Sequence, residues 1–175
     1  RGSAIDYEMT LEPQRLRTLP SLELSDRSLM PDNTVLSQTG ELVARWPSLD
    51  RKRMKLRAYP DYRLETNPDR RRLRGYTRLP ADYNPRTLAL ARQWRATLNS
   101  DTEIINAALR MFREQPFRYT LRPPLLGRDS VDEFLFGTRR GFCEHYSSSF
   151  TVLMRAAGIP ARIVTGYQGG TLNAL

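Results

Sequence analysis

Cysteine and histidine are almost missing from this chain, which has one of each in 175 residues. A single cysteine excludes an internal disulfide, and one thiol with one imidazole cannot make a tetrahedral zinc set. No acidic cluster completes a ligand shell, so neither a metal nor a cofactor is expected. Long apolar runs are lacking as well. Nothing approaches the roughly 20 residues that cross a bilayer, and no cleavable leader is visible. The opening Arg-Gly-Ser reads as a tag remnant, so any membrane anchor is expected outside these residues. Repeats and low-complexity tracts are also lacking. What is there, 39% hydrophobic and 27% charged residues, suits one domain or two small ones with a real core.

Lysine is scarce too: of 28 basic residues only Lys52 and Lys55 are not arginine, and the net charge is +9. The runs RKRMKLR (51–57) and RRRLR (70–74) could be a nucleic-acid footprint. Met54, Leu56 and Ala58 alternate with Lys55 and Arg57, however, which describes a half-buried strand with its charges outward. No aromatic residues interleave as stacking platforms. No nucleic-acid partner is therefore expected, and the basic face is expected to meet an acidic partner or a membrane surface.

The pattern changes near residue 80, and the fold class expected is α+β. Before that point Ile5, Tyr7, Met9 and Leu11 fall two apart, and TVLSQTGELVARW reads as two strands around a turn at Thr39-Gly40. This predicts an antiparallel β module on about 4–65 and a flexible link at 66–80, together a first segment of 4–80. From 81 to 175 the chain turns helical. Asn84 is placed to cap a helix with Pro85 at its first position, and Leu90, Ala91, Trp94 and Leu98 form its stripe. Ser100 and Glu103 make a capping box for a second helix with Ile104, Ile105, Ala108, Leu109 and Phe112 on its face. FRYTLRPP alternates, and a short helix is expected to start at Ser130.

The cysteine and the histidine lie together in GFCEHYSSSFTVLMRAAGIPARIVTGY. Phe150, Leu153, Met154 and Ala157 are spaced i, i+3, i+4, i+7, which predicts a helix over about 142–157 with Gly158 at its left-handed stop. Extending the stripe back through Tyr146 puts Cys143 in the first turn, on the side facing the core. Unpaired N–H groups and the helix dipole favour negative charge on a sulfur placed there. His145 is about 200° around the helix from it and points away. A nucleophile and a buried structural cysteine both fit this spacing.

The run G-F-C opening a helix, followed by LMRAAGIPARIVTGY, resembles the cysteine segment of the transglutaminase-like superfamily. The wider run YTLRPPLLGRDSVDEFLFGTRRGFCEHYSSSF is similar to its membrane-anchored bacterial branch. The resemblance is close over about 80–170 and looser before that. It implies a transglutaminase-like (papain-like) core in which Cys143 is the catalytic nucleophile, Gly141 and Phe142 carry the turn, and Arg162–Tyr167 form the next core strand. It further implies transfer of a glutamine acyl group, from a protein or peptide, to an amine acceptor or to water. The family's base and orienting acid are a histidine and an aspartate on later strands. Beyond Cys143 this sequence holds no His but His145 and no acid but Glu144. The expectation is therefore a truncated N-terminal half of the core, with one of three catalytic residues, inactive alone. A peptidase or amidase of the same superfamily and a non-catalytic domain with a basic binding face are the alternatives. The resemblance places the protein on the periplasmic side of the inner membrane. Residues 161–167, extended, with Ile163 and Tyr167 on one side and Val164 on the other, are expected to pair weakly with a second copy.

Overall fold

The computed structural model describes residues 3–37, 39–61, 70–167 and 169–171, with the side chains of Arg70 and Arg72 outside the description. The chain divides into two compact units, Arg1–Thr66 with Gly166–Leu175, and Asn67–Thr165. It is α+β, with strands gathered in the first unit and helices in the second.

In the first unit β1 (Ile5–Leu11) and β5 (Lys52–Ala58) form an antiparallel ribbon, with Tyr7 opposite Leu56 and Met9 opposite Met54. A three-stranded sheet takes the order β2 (Thr18–Leu19), β4 (Leu42–Ala44), β3 (Thr34–Leu36). Gly40 turns the β3–β4 hairpin at φ +87°, a conformation an L side chain resists. Met54, Leu56 and Ala58 are buried and Lys55 is exposed, as alternation requires. Leu19, Leu42, Met54 and Leu56 make the core. Much of the 51–57 charge is answered within this unit. Arg57 donates to both oxygens of its cross-strand partner Asp6 (2.5 and 2.8 Å), Arg53 pairs with Glu8, and Arg51 meets Glu12 at 3.0 Å. The Arg57 hydrogen bond holds the Asp6 carboxyl below its ordinary value.

The second unit begins inside the expected link. Residues 66–69 lie outside the description, but α1 (Arg70–Gly75) is helical. The segment then belongs with the helices: Ala161 N–H donates to Tyr76 O (3.1 Å) and Arg155 Nη1 to Arg78 O (3.3 Å). α2 (Pro85–Thr97), α3 (Asp101–Glu114) and α5 (Cys143–Ala156) surround one core of Ala91, Ile104, Phe134, Leu135, Leu153 and Met154, among others. On α3 Ile104, Ala108 and Met111 are buried, while Leu109 is 43% exposed, because the stripe drifts around the helix over its last turns. Ser100 caps α3, accepting from Glu103 N at 3.2 Å, and Glu103 Oε2 accepts from Asn99 N at 2.8 Å.

Asn84 does not cap α2. It sits at φ +53°, and its side-chain oxygen accepts from Val131 N (2.9 Å) and Asp132 N (3.2 Å), at the start of α4 (Ser130–Asp132). Asp132 answers across the gap. Its carboxylate accepts from Arg86 N (2.8 Å), Thr87 N (2.7 Å) and Thr87 Oγ1 (2.5 Å). Each helix start is thus capped by a residue 45 or more positions away in sequence.

After α4 the backbone widens into one π-helical stretch, Glu133–Thr138, and Arg139 closes it at φ +50°. The stretch is followed by β7 (Arg140–Gly141), which pairs in parallel with the earlier β6 (Arg118–Tyr119). β7 leads directly into α5. The far end of α5 is a Schellman stop, with Gly158 at φ +77°, Ile159 N donating to Met154 O (2.8 Å) and Gly158 N to Arg155 O (3.0 Å).

Candidate active site

Cys143 is the first residue of α5, after Phe142 with extended backbone (φ −115°, ψ −172°). The strand–turn–helix that carries it is fixed from behind. Arg118 N donates to Arg139 O and Thr120 N to Gly141 O, both at 2.8 Å, so β6 holds the residues just before the turn. Below the turn lies a packed aromatic cluster. The Tyr146 ring meets Phe134 edge-on at 5.1 Å, Phe112 at 5.5 Å and Phe117 at 6.0 Å, and Tyr119 stacks on it at 6.3 Å. Burial raises the Tyr146 phenol above its ordinary value.

Cys143 is exposed, not turned to the core. The apolar stripe of α5 ends one turn later, at Tyr146, because the aromatic cluster stops there and no described residue lies over the sulfur. His145 takes the inward position instead. Its ring contacts Phe142 (4.6 Å) and Phe134 (5.6 Å), and its Nδ1 accepts from Phe142 N at 3.5 Å. No hydrogen bond joins it to Cys143 among the described residues. His145 also borders a cavity of about 150 Å³ shared with Ser130, Phe134, Glu144, Ser148 and Ser149.

Residues 161–167 do not form a strand. No described segment offers them a ladder, and Ile163 (45%), Val164 (77%) and Tyr167 (90%) stand exposed. Ala161 is tied down by Tyr76 O and by Arg155 Nε, which donates to its carbonyl at 2.8 Å, and the Arg162 guanidinium lies over the Tyr76 ring at 5.9 Å. Among the described residues no group of His, Cys, Asp and Glu could hold a metal. The π-helical stretch beside the site, with Thr138 Oγ1 buried and unpartnered, left no mark in the sequence pattern. A widened turn keeps the helical alternation closely enough to be read as an ordinary helix.

The site is thus a cysteine that opens a helix directly after a short strand, beside a cluster of aromatic rings. Residues 88–173 match the family model of the transglutaminase-like superfamily, and the chain belongs to that superfamily. Over 173 residues, 99% of its length, it is 38% identical to the protein-glutamine gamma-glutamyltransferase of Pseudomonas aeruginosa, of which it covers 26%. It thus spans about a quarter of that relative. A second match, 53% over 47 residues, relates 27% of the chain to 6% of the uncharacterized protein YebA of Bacillus subtilis. The crystal structure of the periplasmic domain of TgpA from Pseudomonas aeruginosa is similar at TM-score 0.91 and 38% identity, covering 99% of this chain and 59% of that one. The same domain bound to ethylmercury also gives 0.91, with 62% of that chain covered.

Proposed function

We propose that Cys143 is the nucleophile of a protein-glutamine γ-glutamyltransferase acting on the periplasmic side of the bacterial inner membrane. The observation that carries this reading is the placement of the sulfur at an open helix start, exposed and beside first-turn N–H groups. The thiolate attacks the side-chain amide carbon of a glutamine, and the carbonyl electron pair moves onto oxygen. First-turn N–H groups are the donors such an oxyanion needs. As the adduct collapses, its nitrogen takes up a proton and leaves as ammonia, and a thioester remains. An amine then attacks the thioester, loses a proton and releases the thiolate. The product is a substituted amide, or a glutamate when water replaces the amine.

Giving a proton to the departing nitrogen needs an acid and taking one from the amine needs a base, and this chain's only imidazole is turned away from the sulfur and engaged with Phe142 N–H. We include in the proposal that residues 1–175 alone do not turn over, the base and its orienting acid being supplied from elsewhere in a longer protein. General base catalysis contributes typically about 10²–10⁴-fold, so its loss is measurable. Ammonia release and amine incorporation from a glutamine peptide are measured for residues 1–175, for the longer protein and for its Cys143→Ala variant. Activity is expected only in the longer protein with Cys143 intact. Equal rates in the Cys143→Ala variant would remove the nucleophile assignment, and full activity of residues 1–175 would remove the missing base.

A further inference from the structure

Helix starts are normally held by a Ser, Thr, Asp or Asn oxygen that accepts a first-turn N–H. α5 has Phe142 in that place, with no acceptor to offer. The N–H groups of Cys143 and Glu144 have no partner among the described residues. One side-chain hydrogen bond closes this end, from Phe142 N–H to His145 Nδ1, long at 3.5 Å. His145 occupies the position, three residues into the helix, where a capping box puts Glu or Gln, and a ring nitrogen replaces their oxygen. The ring is gripped by its other neighbours too. It meets Phe142 edge-on at 4.6 Å and Phe134 at 5.6 Å. It also crowds Gly141, where an added Cβ would come within 2.6 Å of His145 Cβ and Cγ. Gly141 is in turn bonded to β6 through Thr120 N at 2.8 Å. Strand, turn and helix therefore meet on one imidazole.

We propose that His145 is a positioning residue for Cys143, its Nδ1 and its ring together holding the Gly141–Phe142–Cys143 turn in reacting geometry. The inference rests on the acyl-transfer reading of Cys143. An Nδ1 that accepts an N–H leaves Nε2 as the ring's donor. It acts through the backbone, without touching the sulfur. Displacing a reacting group by about 1 Å costs up to about 10²-fold in rate, so a turn that loses its brace is expected to lose about 10-fold.

Three variants of the full-length protein separate the brace from plain packing. His145→Gln restores an acceptor at the capping-box position without the ring. His145→Phe keeps a ring without the acceptor, and His145→Ala removes both. With a glutamine peptide and an amine, kcat is expected to fall about 10-fold in His145→Phe and further in His145→Ala at unchanged KM, with His145→Gln within about threefold of the parent. Amide exchange in the 141–146 segment and iodoacetamide alkylation of Cys143 are read on the same proteins. Exchange is expected to quicken in His145→Phe and His145→Ala and to stay near the parent in His145→Gln. A His145→Phe variant with parental kcat and exchange would overturn the proposal, as would equal losses of kcat and thermal midpoint in all three. If the parent itself turns over no glutamine peptide, the acyl-transfer reading fails separately. Alkylation and exchange then still decide, and identical values across the variants would overturn the brace.

Discussion

Replacing Asp132 by alanine removes the acceptor on which the start of α2 depends. The carboxylate is 6% exposed and Thr87 fully buried, so water cannot take over the bonds to Arg86 N, Thr87 N and Thr87 Oγ1. A donor left unsatisfied in such a place costs about 1–3 kcal/mol, and a lost helix cap alone about 1. Two backbone donors and a hydroxyl together set the expectation at about 3 kcal/mol or more, after relief from burying the charge. That is a large share of a typical stability of about 5–15 kcal/mol. Asp132→Asn keeps one oxygen and turns an N–H₂ toward a second donor, so an intermediate loss of about 2 kcal/mol is expected. Thr87→Val keeps both backbone bonds and should lose only about 1 kcal/mol. Equilibrium urea unfolding followed by Trp94 fluorescence gives these differences, provided the slope stays constant across variants. An Asp132→Ala protein within 1 kcal/mol of the parent, or a Thr87→Val protein as unstable as Asp132→Ala, would refute the cross-capping argument.

Gly141→Ala drives a Cβ to 2.6 Å from His145 Cβ and Cγ, and since Cβ is fixed to the backbone no rotamer change relieves that contact, so a loss of about 1–3 kcal/mol in urea and a displaced Cys143 are expected. A parental unfolding midpoint would mean that the turn yields freely. Asp26 is drawn down to about 2, first by Ser28 N–H, then by the hydroxyls of Ser28 and Tyr59. Because its folded value lies below the unfolded one, its stabilisation is complete above about pH 4 and disappears as pH falls through 2. Carboxyl NMR of the parent and of Ser28→Ala checks this, and an ordinary Asp26 titration in the parent would contradict it. Exposed Ile163 and Val164, with no described strand beside them, are proposed to associate weakly with a second copy. Light scattering over a concentration series should show mass rising in the parent and less so in Val164→Lys, and a constant monomer mass would count against the pairing.

Local pattern alone determined much of this protein. The spacing from Phe150 to Ala157 with Gly158 after it specified α5 and its Schellman stop, and the alternation around Lys55 specified β5 with its charges outward. Thr39-Gly40 announced the hairpin. These features depend on neighbours within a few residues, through periodicity, capping and φ, so the sequence displays them directly. Cys143 at the start of α5 was legible in the same way, and so was its separation from His145. Which side of that helix faces the core was not, because burial depends on what packs above each residue, and the aromatic cluster ends at Tyr146. The exchange of caps between Asn84 and Asp132 was equally invisible: it joins donors and acceptors 45 or more positions apart, whereas the nearest candidate, Asn84 beside Pro85, pointed to the wrong helix. The alternation in 161–167 promises a strand, but a strand exists only where another backbone accepts its hydrogen bonds, and none is described there. Tertiary packing also made His145 a brace, since only the fold brings Gly141, Phe142 and Phe134 around one ring.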